Sequence, residues 1–251
     1  MLLRQYEGHS RARVLQFAAM NQTLIVLTLI VVLPFFALTR SAAQDVEITA
    51  EPSHHVALEN AYVRAFKVEV APHAATLTHW HRHDYFFLTL GDAHLSNEVV
   101  GRAPVELKLF DGDARFTPGN FAHVARNLAD APFRNVTIEL LQDEKMKSAP
   151  AHWDKDSGEE TFIAGHRKIL FVKDGVRVSQ IELSAKAALP KDESARPRLL
   201  VAITEFELGQ NADGKGSSGK ALKAGDMWWS EGSLALTNAG SAPAKFALLE
   251  F

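Results

Sequence analysis

The feature that most constrains this chain is that its second half repeats its first. With Val63-Arg64 set over Val176-Arg177, an offset of 113 residues, Glu69 meets Glu182, Ala74-Ala75 meets Ala187-Ala188 and Leu95 meets Leu208 without a gap. Phe86-Phe87-Leu88 falls over Leu199-Leu200-Val201, and at an offset of 111 Asn127 and Ala131-Pro132 meet Asn238 and Ala242-Pro243, with Glu139 over Glu250. Few positions are identical, but their order is kept throughout. Solenoid repeats run to roughly 20–50 residues, so a period above one hundred means a duplicated domain. A chain of 251 residues is long enough to give each copy a core.

The repeat starts behind a different object. Residues 1–13 carry Arg4, Arg11 and Arg13 against Glu7 alone; an apolar run from Leu24 to Leu38 follows, then Ser41-Ala42-Ala43. Positive start, apolar middle and small-residue end are the parts of a secretory signal peptide cut before Gln44. The run is short for a bilayer span, although extending it over residues 17–38 would make an uncleaved anchor. Cleavage is the expectation, with a periplasmic or secreted product; the alternative is a membrane-anchored protein with its folded part outside the cytoplasm. Losing four arginines and one glutamate would take the formal charge from −3 to −6.

Each copy reads as β-rich. Tyr62–Val70 alternates imperfectly, and Tyr85–Leu90, Val105–Phe110 and Val136–Leu141 are further β-prone runs, set apart by Gly91-Asp92 and Asp111-Gly112-Asp113. The second copy offers Val176–Leu183, Leu199–Leu208, Ala235–Asn238 and Lys245–Phe251. Short strands at this spacing predict an all-β sandwich or barrel, jelly rolls among them. The expected division is a leader over 1–43, a first domain over 44–145, a polar linker over 146–165 and a second domain over 166–251.

Composition removes several classes of function. With no cysteine there is no disulfide scaffold, thiolate-held zinc, iron–sulfur cluster or thiol nucleophile. The acidic balance and the lack of a basic stripe speak against nucleic acid as a partner. No GxSxG elbow is present. Gly214-Lys215-Gly216-Ser217-Ser218-Gly219-Lys220 mimics a phosphate loop, but Gly225-Asp226 leaves room for one helical turn at most, so it reads as a hairpin loop. Trp228-Trp229 suits packing better than a pocket wall.

Eleven histidines remain, and His79, His81 and His83 alternate within five residues. On a strand such residues share a face, together with Tyr85. Three imidazoles on one face are hard to bury without something to bind them. Neutral imidazole suits Zn, Cu, Fe and Ni, whereas Mg and Ca prefer oxygen.

Gly112, Pro118, His123 and Asn127 follow in order, with a glycine at 119. At this point the sequence resembles the cupin superfamily, marked by G(x)5HxH(x)3–4E(x)6G and G(x)5PxGxxH(x)3N. The second motif keeps every interval except for its middle glycine, displaced to Gly119. The first is met at His79 and His81, with its closing glycine one residue early at Gly91, while His73 stands at its opening glycine and Tyr85 at its glutamate. The resemblance covers residues 55–141 through these motifs and 166–251 through the repeat. It implies two tandem cupin-type jelly-roll β-barrels behind the signal or anchor helix, and it places metal ligands at His79, His81 and His123. The cofactor implied is a divalent transition metal: Fe, Zn, Cu, Ni or Mn. Tyr85, or His83 by strand parity, is the candidate for tuning the site or moving a proton, since a phenol with a pKa near 10 is a poor ligand.

In the second copy the ligand positions become Asp192, Ser194 and Leu234, with Arg198 in place of Tyr85, and no histidine lies beyond His166. Asp192 and Glu193 read as exposed turn acids. The second barrel is therefore expected to serve packing, homodimer formation or the shape of the other pocket. Two functions stay open: a metal-dependent, dioxygenase-like oxidoreductase acting on a small oxygen-rich molecule, and a non-catalytic module binding a small ligand or a partner protein.

Overall fold

A computed structural model of the chain describes residues 45–141, 153, 155, 157–194, 196–210 and 219–251. The leader expected over 1–43 lies outside the described residues, as do most of 142–156 and the loop 211–218. Among the described residues no helix is long and apolar enough to cross a membrane.

The first copy is built from β1 (Val46–Glu47), β2 (His54–Glu59), β3 (Val63–Val70), β4 (His79–His81), β5 (Tyr85–Leu90), β6 (Ala93–Val99), β7 (Val105–Leu109), β8 (Ala114–Thr117), β9 (Phe121–Asn127) and β10 (Phe133–Leu140). They form two five-stranded sheets in the orders β1-β4-β9-β6-β7 and β2-β3-β10-β5-β8, the jelly-roll arrangement. The second copy contributes β11 (Gly158–Phe162), β12 (Gly165–Lys173), β13 (Val176–Leu183), β14 (Arg198–Ala202), β15 (Phe206–Gln210), β16 (Lys220–Leu222), β17 (Met227–Ser230), β18 (Leu236–Asn238) and β19 (Ala244–Glu250). These make a six-stranded sheet, β11-β12-β13-β19-β14-β17, and a three-stranded one, β16-β15-β18. The fold is two tandem cupin-type barrels.

The central strands alternate imperfectly because they are buried on both faces. In β3, Val63 and Ala65 face outward while Phe66, Val68 and Val70 face the interior of the first barrel with Leu95, Leu109 and Phe133. The outward set, joined by Phe86, Leu88, Val136 and Ile138, packs on Val176, Val178, Leu199, Val201, Ala247 and Leu249 of the second copy. The intervening residues Ile181, Leu200, Phe246 and Leu248 fill the second barrel. All five residues of β14 are buried, a continuous apolar run except for Arg198.

The expected strand Leu199–Leu208 is two strands in two sheets. The chain breaks at Ile203–Glu205, where the N–H groups of Ile203 and Thr204 both donate to the Lys245 carbonyl and the Lys245 N–H donates to Thr204 Oγ1 at 2.8 Å. The stretch expected as a linker ends in β11, which pairs with β12, and its Trp153 ring lies under both Arg177 and Arg196. Lys220, after the glycine-rich run, opens β16 against β15, so a strand and not a helix follows those glycines.

Candidate metal centre

β4 is three residues long, and its alternation turns His79 and His81 inward with Trp80 between them. It pairs antiparallel with β9, setting His79 opposite His123. The loop leaving β4 is held by the second motif. A Cβ on Gly119 would lie 2.3 Å from the His83 carbonyl, so only glycine permits that approach, and the Gly119 N–H donates to Asp84 Oδ1 at 2.8 Å.

The three imidazoles meet through their Nε2 atoms. His81 lies 3.2 Å from His79 and 3.1 Å from His123, and His79 lies 3.1 Å from His123. All three side chains are buried. His79 donates its Nδ1–H to the Leu77 carbonyl at 2.9 Å, and His123 donates its own to Asn97 Oδ1 at 2.6 Å. Neutral rings with Nδ1 protonated carry bare lone pairs at Nε2. Burial, followed by the charge of neighbouring His54, lowers the His79 pKa to about 4. Burial and then His79 lower that of His123 to about 3, and burial with His123 and His79 pushes His81 down as well.

Two lone pairs 3.1 Å apart repel unless a cation stands between them, and the sealed Nδ1 of His81 has no hydrogen-bond partner. Imidazole nitrogens each about 2.0–2.1 Å from one ion, at roughly right angles, would lie about 3 Å from one another. The trio therefore fits a metal ion, and His79, His81 and His123 are the group of described residues able to hold one.

Tyr85 and His83 part company. Tyr85 opens β5 and stacks on His81 with ring centroids 4.1 Å apart. Burial pushes its phenol up to about 12 against a hydrogen bond with Thr117, so it stays a neutral hydroxyl. His83 lies beyond the end of β4, in an exposed loop, where strand parity no longer applies.

The trio sits at one wall of a cavity of about 190 Å³ between the two sheets of the first barrel. Val68, Phe87, Leu107 and Phe133 make apolar wall, with Thr76, Asn97, Asn135 and Thr137 among the polar groups. Among the described residues that line the cavity, Arg115 is the arginine and none is a carboxylate. Two participants had little sequence signal. His54, on β2, comes within 4.7 Å of His79 between ring centroids, and Arg115 reaches the cavity from β8. Both lie in the sheet opposite the trio; His54 is outside either motif, and Arg115 falls at an unspecified position of the second.

The equivalent place in the second barrel is filled by protein. Asp192 bridges to Leu234 as His79 does to His123. Arg198, fully buried where Tyr85 stands in the first barrel, donates from Nη2 to Asp192 Oδ2 at 2.5 Å and Ser194 Oγ at 2.7 Å, and from Nη1 to the Gly232 carbonyl at 2.8 Å. Burial opposes the ionisation of Asp192, but hydrogen bonds from Ser194 and Arg198 outweigh it and hold its pKa down. Asp192 is thus an internal partner, not a free turn acid. Trp229 packs between Tyr62 and Phe251 at 5.4 and 5.5 Å, half-buried against the shared core.

No protein-family model matches the sequence, and no curated protein matches it. Solved structures do match the fold. AerE from Microcystis aeruginosa is 11% identical, with a TM-score of 0.53 over 80% of this chain and 97% of that one. An oxalate decarboxylase from Lactobacillus farciminis is 13% identical, with a TM-score of 0.54 over 76% of this chain and 77% of its own. A salicylate 1,2-dioxygenase from Pseudaminobacter salicylatoxidans is 12% identical, with a TM-score of 0.53 over 78% and 75%. At these identities the likeness is one of fold.

Proposed function

From a chain that folds as a bicupin, with one histidine-walled barrel and one barrel closed by its own arginine, we propose a metal-dependent protein that binds a small, oxygen-rich, anionic molecule. The observation that carries this reading is the triangle of Nε2 atoms with two bare lone pairs 3.1 Å apart. An ion held by three neutral imidazoles keeps its positive charge and supplies Lewis-acid or redox chemistry to an oxygen ligand.

The chain's own residues supply the rest. Leu77 and Asn97 fix the tautomer and ring orientation of His79 and His123. Arg115, which lies 4.0 Å from Asp113 outside the cavity wall, adds positive charge for an anionic group. The apolar wall excludes water and strengthens both attractions. Tyr85 keeps its proton and offers a neutral hydroxyl beside His81. A dioxygenase-like oxidation is the catalytic form of this reading, by analogy with the fold alone. The second form is binding without turnover, favoured by Tyr85 standing where the resemblance expects a carboxylate.

Elemental analysis of the purified protein tests the site: one transition-metal ion per chain is expected, falling to background in His79→Ala. Background metal in the unaltered protein would overturn the reading. Oxygen uptake across phenolic, thiol and keto-acid compounds then separates enzyme from binder. The order of charge, apolar run and small residues before Gln44 supports export, and N-terminal sequencing should find a start at or beside Gln44; an intact Met1 in the membrane fraction would instead mean an anchor.

A further inference from the structure

β7 ends one sheet of the first barrel and, among the described residues, pairs with β6 alone. Its far edge presents alternate N–H and C=O groups with no strand beside them. The same hairpin carries apolar surface. Of the six large apolar side chains that stand exposed among the described residues, Val100, Val105 and Phe110 lie on this hairpin or at the end of β7, Phe110 at 66%. A solitary edge is served by charge and has no use for exposed valine and phenylalanine beside it.

The order of residues along this edge matches itself in reverse. Set against a second copy running antiparallel about a two-fold axis at Leu107, Glu106 falls opposite the partner's Lys108, and Lys108 opposite the partner's Glu106. In the same register Val105 meets the partner's Leu109, and Pro104 meets the partner's Phe110. Alternation puts Pro104, Glu106, Lys108 and Phe110 on the outer face, so the row reads apolar, charged, charged, apolar from either end. Burial agrees: Glu106 and Lys108 are exposed, whereas Leu107 lines the cavity and Leu109 is buried. Glu106 meets His94 of β6 and still stands exposed. Pro104 precedes β7, where its missing N–H takes nothing from the ladder. Parallel pairing in register would set like charge on like, and an antiparallel shift of two residues would break both ion pairs.

We infer that β7 is a self-association edge: two copies of this chain join antiparallel along it, and their five-stranded sheets become one ten-stranded sheet across a two-fold axis at Leu107. The occupant is a second copy because this chain itself supplies the complementary charge at each charged position of the edge. A five-residue edge buries little area, so the association is weak and depends on concentration. Leu107 also walls the cavity beside the imidazole trio, and pairing holds that wall in place.

The chain has no cysteine, so a single introduced one reads the register. In concentrated full chain, as the cell processes it, Leu107→Cys treated with diamide should form a covalent dimer, because residues facing across the axis have Cα atoms about 4.5–5.5 Å apart. Val105→Cys should not, since its two copies stand about 14 Å apart along the strands. Sedimentation equilibrium of the unaltered chain should show monomer and dimer in exchange. Glu106→Lys or Lys108→Glu should weaken the dimer about tenfold or more, and the two together, which restore opposite charges across the axis, should bring it back to within about threefold. Both side chains are exposed, so these variants keep the fold. Should Leu107→Cys not fold, the charge exchange carries the test alone. A monomer at every concentration, cross-linking of Val105→Cys as readily as Leu107→Cys, a dimer indifferent to the single reversals, or one that the double exchange fails to restore would overturn the proposal.

Discussion

Glu139 shows how burial sets chemistry at the scale of one residue. It faces the interior of the first barrel opposite Tyr85 on the neighbouring strand, with Oε2 3.4 Å from Arg64 and Oε1 unpartnered. Burial raises its pKa to about 7 despite Arg64. Between its ordinary value of 4.5 and about 7 the folded state holds a proton that the unfolded chain has released, so stability falls as pH rises through that window. His79 acts with the opposite sign. From 6.5 down to about 4 the unfolded chain takes a proton that the buried ring refuses, so stability falls as pH drops. Glu139→Gln should remove only the first effect. Measured by urea unfolding, the variant should gain up to about 3 kcal/mol on the unaltered protein between pH 4.5 and pH 8. An unchanged difference would place the proton elsewhere. The same residue in the second copy, Glu250, meets Arg177 at 2.7 Å, so the pairing recurs in both copies while its closeness differs.

At the scale of elements, the shared asparagine is a fold residue. Asn127 Nδ2 donates to the carbonyls of Val70 and Ala131, and its Oδ1 accepts the Ala129 N–H. Asn238 does the same with Ser184, Ala242 and Gly240. One side chain thus ties the end of a strand to the loop leading to the last strand of each barrel. Asn127→Ala and Asn238→Ala should each cost about 3 kcal/mol in denaturant unfolding, because buried backbone groups lose partners. A cost below about 0.5 kcal/mol would deny this role, by the ordinary range for surface changes. The motif spacing therefore marked ligands and scaffold together. His79, His81 and His123 were legible because a two-residue period and a cross-strand pair bring them together. His83 obeyed the same period, but its strand had ended.

At the scale of the molecule, the two barrels share one buried core. Their facing sheets share a core in which Val63, Phe86 and Ile138 from one copy pack with Val178, Leu199 and Leu249 from the other, while Lys67 reaches Asp226 across the boundary. Leu199 is fully buried there. Leu199→Ala should cost roughly 2–5 kcal/mol and lower the unfolding of both barrels together. Calorimetry of the unaltered protein should show a single transition; two resolved transitions would mean that the barrels unfold independently. The second barrel also shows how a lost site can be closed. Arg198, standing where Tyr85 does in the first barrel, donates to Asp192 and Ser194, which hold the positions of His79 and His81. Arg198→Ala should be strongly destabilising, by roughly 3–5 kcal/mol, because Asp192 would lose its counter-charge and the buried Glu250 would keep only Arg177.

The sequence by itself determined the duplication, the all-β class, the imidazole trio and the loss of that trio from the second copy. Each is written in local spacing, which survives in a one-dimensional string. Only the tertiary structure decided which side of a strand is interior. It also decided that both faces of the central sheets are buried, that Arg198 bonds to Asp192 and Ser194 in the second barrel, and that His54 lines the cavity of the first. Those facts depend on contacts between strands far apart in the chain, where no spacing rule connects one residue to the next.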